Sequence, residues 1–196
     1  MSSRVPREWV SLQYIDAEKL LIGLRDISLS FPLNEMSYHS SSLRTRSLRK
    51  FGEGRQAALF CYAMGKVIGS PVAFSQAESQ DHDIIARFPA NGYFNYVPVQ
   101  LKELVPEFIN PDANIQDELN KLAKYVNGQD LVVAYHLNRK MTIALSNLNF
   151  PYGKIGELWF YGATEPNQSR WIAIGNLLSN NSMAYEFTYP NENLYD

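Results

Sequence analysis

The spacing of apolar and polar positions changes several times along the chain, and each change marks an element. Residues 16–25, DAEKLLIGLR, open on Asp16, a residue type that caps helix N-termini, and continue with good helix formers. A first helix is predicted there. In FGEGRQAALFCYAMGKVIG, residues 51–69, Glu53, Gln56, Ala57, Phe60 and Met64 fall on one helical face. Gly52 and Gly54 weaken the first turn, while Gly65 and Gly69 are stop signals, so a second helix is predicted over about 54–65.

The pattern then turns extended. PVAFSQ from Pro71, DIIARF from Asp83 and YFNYVPVQLKEL from Tyr93 read as strands, with PANG at 89–92 as the turn between the last two. Residues 111–127, PDANIQDELNKLAKYVN, predict a helix with Ile115, Leu119, Leu122 and Val126 on one stripe and Gly128 closing it. LVVAYHL at 131–137 predicts a buried strand. GELWFYGA, RWIAIGNLL and MAYEFTY, rich in aromatics and broken by Pro, Asn and Gly, predict further antiparallel strands. This order implies an α/β (α+β) fold, a mixed central sheet flanked by helices, in one domain over residues 1–196.

Composition narrows the function classes. With 45% hydrophobic and 13% aromatic residues, the 196-residue chain can bury a substantial core. Charged residues make up 19% and the formal net charge is −2, which excludes a basic nucleic-acid tail and an acidic disordered one. Partner recognition must then come from local patches. Cys61 is the single cysteine and the three histidines lie apart, so neither a disulfide nor a zinc-ligand spacing is present, and a reducing, cytoplasmic setting is expected. No stretch approaches the roughly 20 apolar residues of a membrane span, so no membrane association is expected.

Chemistry concentrates in the third extended segment. Period-two alternation puts Tyr96, Pro98, Gln100 and Lys102 on one face and Val97, Val99, Leu101 and Glu103 on the other. Buried without partners, the amide alone would cost roughly 1–3 kcal/mol and the ammonium considerably more. The neighbouring strand can supply them. Asp83 points with Ile85 and Arg87, so pairing across the PANG turn brings a carboxylate, an amide and an ammonium together, and Glu53 of the preceding helix is a fourth candidate.

These residues resemble the PD-(D/E)XK nuclease superfamily, the restriction-endonuclease-like fold. Its pattern is a helix with an acidic residue, a strand opening on an aspartate, and a next strand bearing an acidic residue or glutamine, one intervening residue and a lysine. HD at 82–83 stands where the family has Pro-Asp, QLK at 100–102 stands where it has (D/E)-X-K, and Glu53 matches the helix acid. The resemblance implies a nuclease-like core over about 45–140, with an N-terminal helical extension over 1–44 and extra C-terminal strands over 141–196. It further implies a Mg²⁺- or Mn²⁺-dependent nuclease that hydrolyses phosphodiester bonds, with DNA favoured over RNA. Asp83, Gln100 and Glu53 would hold the metal, and Lys102 would act on the water or phosphate.

Three departures accompany the match. Gln100 replaces a carboxylate and weakens any cation site, which leaves open a catalytically inactive module that binds nucleic acid or protein. His82 replaces proline. Pro98 removes a ladder donor inside the strand, so an edge position or a bulge is expected there. Arg44, Arg46, Arg49 and Lys50, with Arg55 and Arg87, are the candidate phosphate contacts; as a charge run alone the first four read better as a solvated loop, and only beside a nuclease-like site do the two readings become comparable. The aromatic C-terminal half, including Trp159 and Trp171, could stack bases or pair with a second copy in a homodimer, although aromatic sheets usually form core.

Overall fold

The computed structural model describes residues 5–30, 49–77, 79, 81–126 and 128–191, with the side chains of Arg49 and Lys50 outside that description. Its elements are α1 (Arg7–Val10), β1 (Ile15–Asp16), α2 (Ala17–Ser30), α3 (Arg49–Ile68), β2 (Ala73–Ser75), β3 (Ile84–Ala90) and β4 (Tyr93–Leu104). Then come α4 (Ile115–Asn120) with a 3₁₀ turn over Lys121–Lys124, β5 (Gly128–Leu137), β6 (Ile155–Ala163), β7 (Arg170–Gly175) and β8 (Met183–Thr188). The strands order β1 to β8 in one mixed sheet. The fold class is α+β.

The chain forms two compact units, each discontinuous in sequence. The first comprises Met1–Gln76, Ala86–Tyr96 and Tyr189–Asp196, the second Ala77–Ile85 and Val97–Thr188. In the first, Asp16 accepts a hydrogen bond from the Lys19 amide at 3.0 Å and so caps α2 as its position predicts. α3 is longer than predicted, starting at Arg49 and passing through Gly52, Gly54 and Gly65. Its centre, Ala57 to Ala63, is buried without a break, and that burial outweighs the roughly 1 kcal/mol each glycine costs. Gly69, at φ +68°, is the effective stop.

The second unit holds the candidate chemistry. β4 runs parallel to β5, and β5 parallel to β6, while β6, β7 and β8 are antiparallel to one another. The expectation that β6 would join an antiparallel set is corrected on its β5 side. Leu131 to His136 and Leu158 to Tyr161 are buried on both faces, as parallel strands require, and their unbroken apolar runs carry that signal. Leu104, Ile115, Leu119, Leu122, Tyr125, Val133, Tyr135, Leu158 and Phe160 are among the residues of the core beneath α4.

Pro98 is accommodated at a boundary. The register of β4 with β5 begins at Val99, so the missing amide donor falls just outside that ladder. The predicted helix over 111–127 is reduced to Ile115–Asn120, capped by Asn114, whose side chain accepts from the Gln116 amide at 2.7 Å. The chain then tightens into the 3₁₀ turn, with three residues per turn in place of 3.6. That change places Tyr125, rather than the predicted Val126, next on the buried stripe after Leu122; Tyr125 is 5% exposed and Val126 79%. Gly128 does not close the helix but opens β5. A Cβ there would meet the Lys154 carbonyl oxygen at 2.5 Å, so the close approach of β6 requires glycine.

Candidate functional site

Asp83 sits one residue before β3, and its backbone amide donates to the Val99 carbonyl at 3.0 Å. This single ladder contact sets its side chain beside β4. Asp83 Oδ2 accepts from the Leu101 amide at 2.7 Å and from Gln100 Nε2. On its other end, Gln100 Oε1 accepts from the Tyr125 hydroxyl at 3.1 Å. Gln100 is 7% exposed, so both ends of a buried amide are satisfied, one by a carboxylate and one by a phenol.

Lys102 follows two residues along the same face of β4, opposite Tyr135 in the parallel register. It is half-buried, and among the described residues it makes no ion pair and no side-chain hydrogen bond. Burial lowers its pKa first; Lys124 lowers it further, and Asp83 and Glu118 oppose the shift. The Tyr125 phenol is pushed up by burial and then by the negative charges of Asp83 and Asp81. Beside Asp83, His82 is lowered by burial against the opposing pull of Asp81 and Asp83, and its Nδ1 lies 2.8 Å from Ser79 Oγ.

The 3₁₀ turn supplies what the strands lack. Tyr135 donates to the Glu118 carbonyl at 2.9 Å, which docks the end of α4 on β5 next to Lys102. Lys121 pairs with Glu118 at 2.5 Å, and Lys124 Nζ lies 5.2 Å from the centre of the Tyr125 ring. Lys102 is thus influenced by two further lysines, Lys121 and Lys124, and by two carboxylates, Asp83 and Glu118, while the Tyr125 phenol links the turn to Gln100. Tyr125, Lys121 and Lys124 are not among the sequence-derived candidates, because a regular helical period turns attention to Val126.

The other predicted residues belong to the first unit or lie outside the described residues. Glu53 and Arg55 are on α3 in the first unit, whereas the site described here is built from the second unit alone. Arg87, also in the first unit, lies against two rings, 4.2 Å from the centre of Tyr14 and 4.6 Å from that of Phe94. Stacking of this kind holds a guanidinium in place through its face. Arg49 and Lys50 open α3 by their backbone, and Arg44 and Arg46 lie outside the described residues.

Among the described residues no group of three or more His, Cys, Asp or Glu side chains is placed to hold a metal ion, and no helix is long and apolar enough to cross a membrane. The oxygens near Gln100 are of a different kind: the Asp83 carboxylate, which accepts from its Nε2; the Leu101 carbonyl, 3.5 Å from Nε2; and its own Oε1, which is turned to the Tyr125 hydroxyl and would face Asp83 only after the amide reverses. Hard divalent cations accept such a mixture and complete their shell with water. The set fits Mg²⁺ or Mn²⁺ in kind, and with one negative charge it fits them weakly. Comparison with known proteins gives no match for the chain, whether among family models, curated proteins or solved structures.

Proposed function

We propose that this chain is a divalent-cation-dependent nuclease of the PD-(D/E)XK type, acting on phosphodiester bonds with DNA favoured over RNA. One observation carries the reading: Asp83 before β3 is hydrogen-bonded to Gln100 on β4, with Lys102 next on the same face and without an ion-pair partner among the described residues. The element order α3, β2, β3, β4, α4, β5, with β5 parallel to β4, agrees with the order that the restriction-endonuclease-like core requires.

Asp83, Gln100 Oε1 and the Leu101 carbonyl are the groups that would hold the cation. Bound there, it would supply charge stabilisation to phosphate oxygens and acidify a water. The remaining work belongs to the chain. Lys102 offers an ammonium that burial leaves incompletely solvated, so its attraction to a phosphate oxygen is stronger than that of a surface lysine. Tyr125 holds the far end of the Gln100 amide; a hydroxyl donates or accepts, so it can pair with either end of a reversed amide. Reversal is what presents Oε1 rather than Nε2 towards Asp83.

The second reading, an inactive nuclease-like module, is favoured by that same network: Asp83 and Tyr125 already satisfy Gln100 at both ends. Incubation of the full chain with labelled DNA and RNA in millimolar Mn²⁺ or Mg²⁺ separates the two. Cation-dependent cleavage, lost in both Asp83→Asn and Lys102→Ala while the circular dichroism spectrum is unchanged, is the expected result. Cleavage that survives both substitutions, or no cleavage and no calorimetric Mn²⁺ binding, rejects the enzyme.

A further inference from the structure

Lys124 closes the 3₁₀ turn and is exposed, yet it is placed by its contacts rather than left to solvent. Its ammonium rests 5.2 Å from the centre of the Tyr125 ring, and the hydroxyl of that ring is 3.1 Å from Gln100 Oε1. A phenol buried at one end and shared with the candidate site thus supports a cation on its face. Lys121, one turn earlier, is already neutralised by Glu118 at 2.5 Å. Lys102 and Lys124 have no such acid: among the described residues neither makes an ion pair or a side-chain hydrogen bond. Lys102 and Lys124 act on each other as like charges, and the two acids that face Lys102 are engaged elsewhere, Asp83 by Gln100 and the Leu101 amide and Glu118 by Lys121, so neither ammonium is directly paired and an anion can meet both.

We propose that Lys124 is a second phosphate contact of this site, gripping the nucleic-acid backbone together with Lys102 from the 3₁₀ turn. The proposal rests on the nuclease reading for its substrate class and adds the residue and the element that hold it. To the arginine-rich segment over 44–50, where composition suggests phosphate contacts, it adds a turn fixed by the core residues Leu122 and Tyr125. A lysine suits the task because one ammonium on a long stem tracks a backbone oxygen without demanding a base.

The test separates grip from cleavage. Fluorescence anisotropy of a labelled oligonucleotide, single-stranded and duplex, is followed against salt in EDTA, so that no cation-dependent step contributes. For Lys124→Ala the slope of log affinity against log salt is expected to fall by about 0.7 on single strands or about 0.9 on duplex, the loss of one phosphate contact. Lys124→Arg should restore it. Lys121→Ala, which removes an already paired charge, should change the slope less than Lys124→Ala does. An unchanged slope in Lys124→Ala, or no binding by the unaltered chain, overturns the proposal. Cleavage is read separately in Mn²⁺. A chain that cleaves while Lys124→Ala keeps the full slope retains the nuclease reading and loses this one. A chain whose slope depends on Lys124 but which never cleaves does the reverse.

Discussion

Gln100 presents opposite chemistry at its two ends, and each end has a partner chosen for it: Nε2 meets the Asp83 carboxylate and Oε1 meets the Tyr125 hydroxyl. Gln100→Glu replaces the donor with a second negative charge against Asp83. Without a cation that pair should lower stability, since buried like charges disfavour one another; with Mn²⁺ the same pair becomes a stronger ligand set. The expected outcome is a chain less stable in EDTA than the parent but at least about tenfold tighter for Mn²⁺, roughly 1.4 kcal/mol, by calorimetry. Equal affinity in the two chains would remove Gln100 from the cation site. Lys102 gives a pH test. Its folded-state pKa lies below the unfolded value, so the ammonium costs stability at neutral pH, and the cost is relieved as pH rises through the lowered pKa. Lys102→Met should therefore be more stable than the parent at pH 7 in denaturant titrations, with the advantage shrinking towards pH 10. An advantage that grows with pH contradicts the assigned burial.

Among the elements, the stretch from Val105 to Gly128 decides the site, and it was only partly legible in the sequence. Asp83, Gln100 and Lys102 could be found because a strand's period of two and the PANG turn are local signals. The turn is borne out, with Asn91 and Gly92 at φ 54° and 81°. Tyr125 and Lys124 could not be found in the same way: whether a helix ends in an α or a 3₁₀ turn depends on how its carbonyls and side chains meet the sheet, and one residue of difference exchanges Tyr125 for Val126. Parallel β6 left only an indirect signal, the unbroken apolar run of a strand buried on both faces, since direction itself is set by a crossover that leaves no periodicity of its own. Arg139 shows what holds the stretch in place. Its guanidinium donates to the carbonyls of Val105 at 2.6 and 2.8 Å, Asn110 at 2.7 Å and Ala113 at 3.1 Å, fastening the loop ahead of α4 to the end of β5. Arg139→Ala should cost about 2 kcal/mol or more in chemical unfolding, because the half-buried carbonyls of Val105 and Ala113 lose a charged donor together. Arg139→Lys should recover only part of that, since a single ammonium cannot reproduce the planar fork. Full recovery by lysine would mean that charge alone, not the fork, fastens the loop.

For the whole molecule, a net charge of −2 offers no general attraction for nucleic acid, so any binding must come from local cations such as Lys102 and Lys124. The division into two units gives this a thermodynamic consequence. All the oxygens proposed to hold a cation belong to the second unit, and so do Trp159 and Trp171, whereas Trp9 lies in the first. A ligand that binds only the folded state stabilises it by RT ln(1 + [L]/Kd), about 1.4 kcal/mol at tenfold excess over Kd. For a chain of this size that corresponds to a rise of roughly 3–5 °C in the melting midpoint. Melting followed by tryptophan fluorescence in the chain and in its Trp9→Phe variant, which leaves only the second unit's tryptophans, should show the rise with Mn²⁺ in both. Asp83→Asn should lose it while melting normally in EDTA. A shift that persists in Asp83→Asn would place cation binding outside the Asp83 and Gln100 pair, and with it the chemistry assigned to β3 and β4.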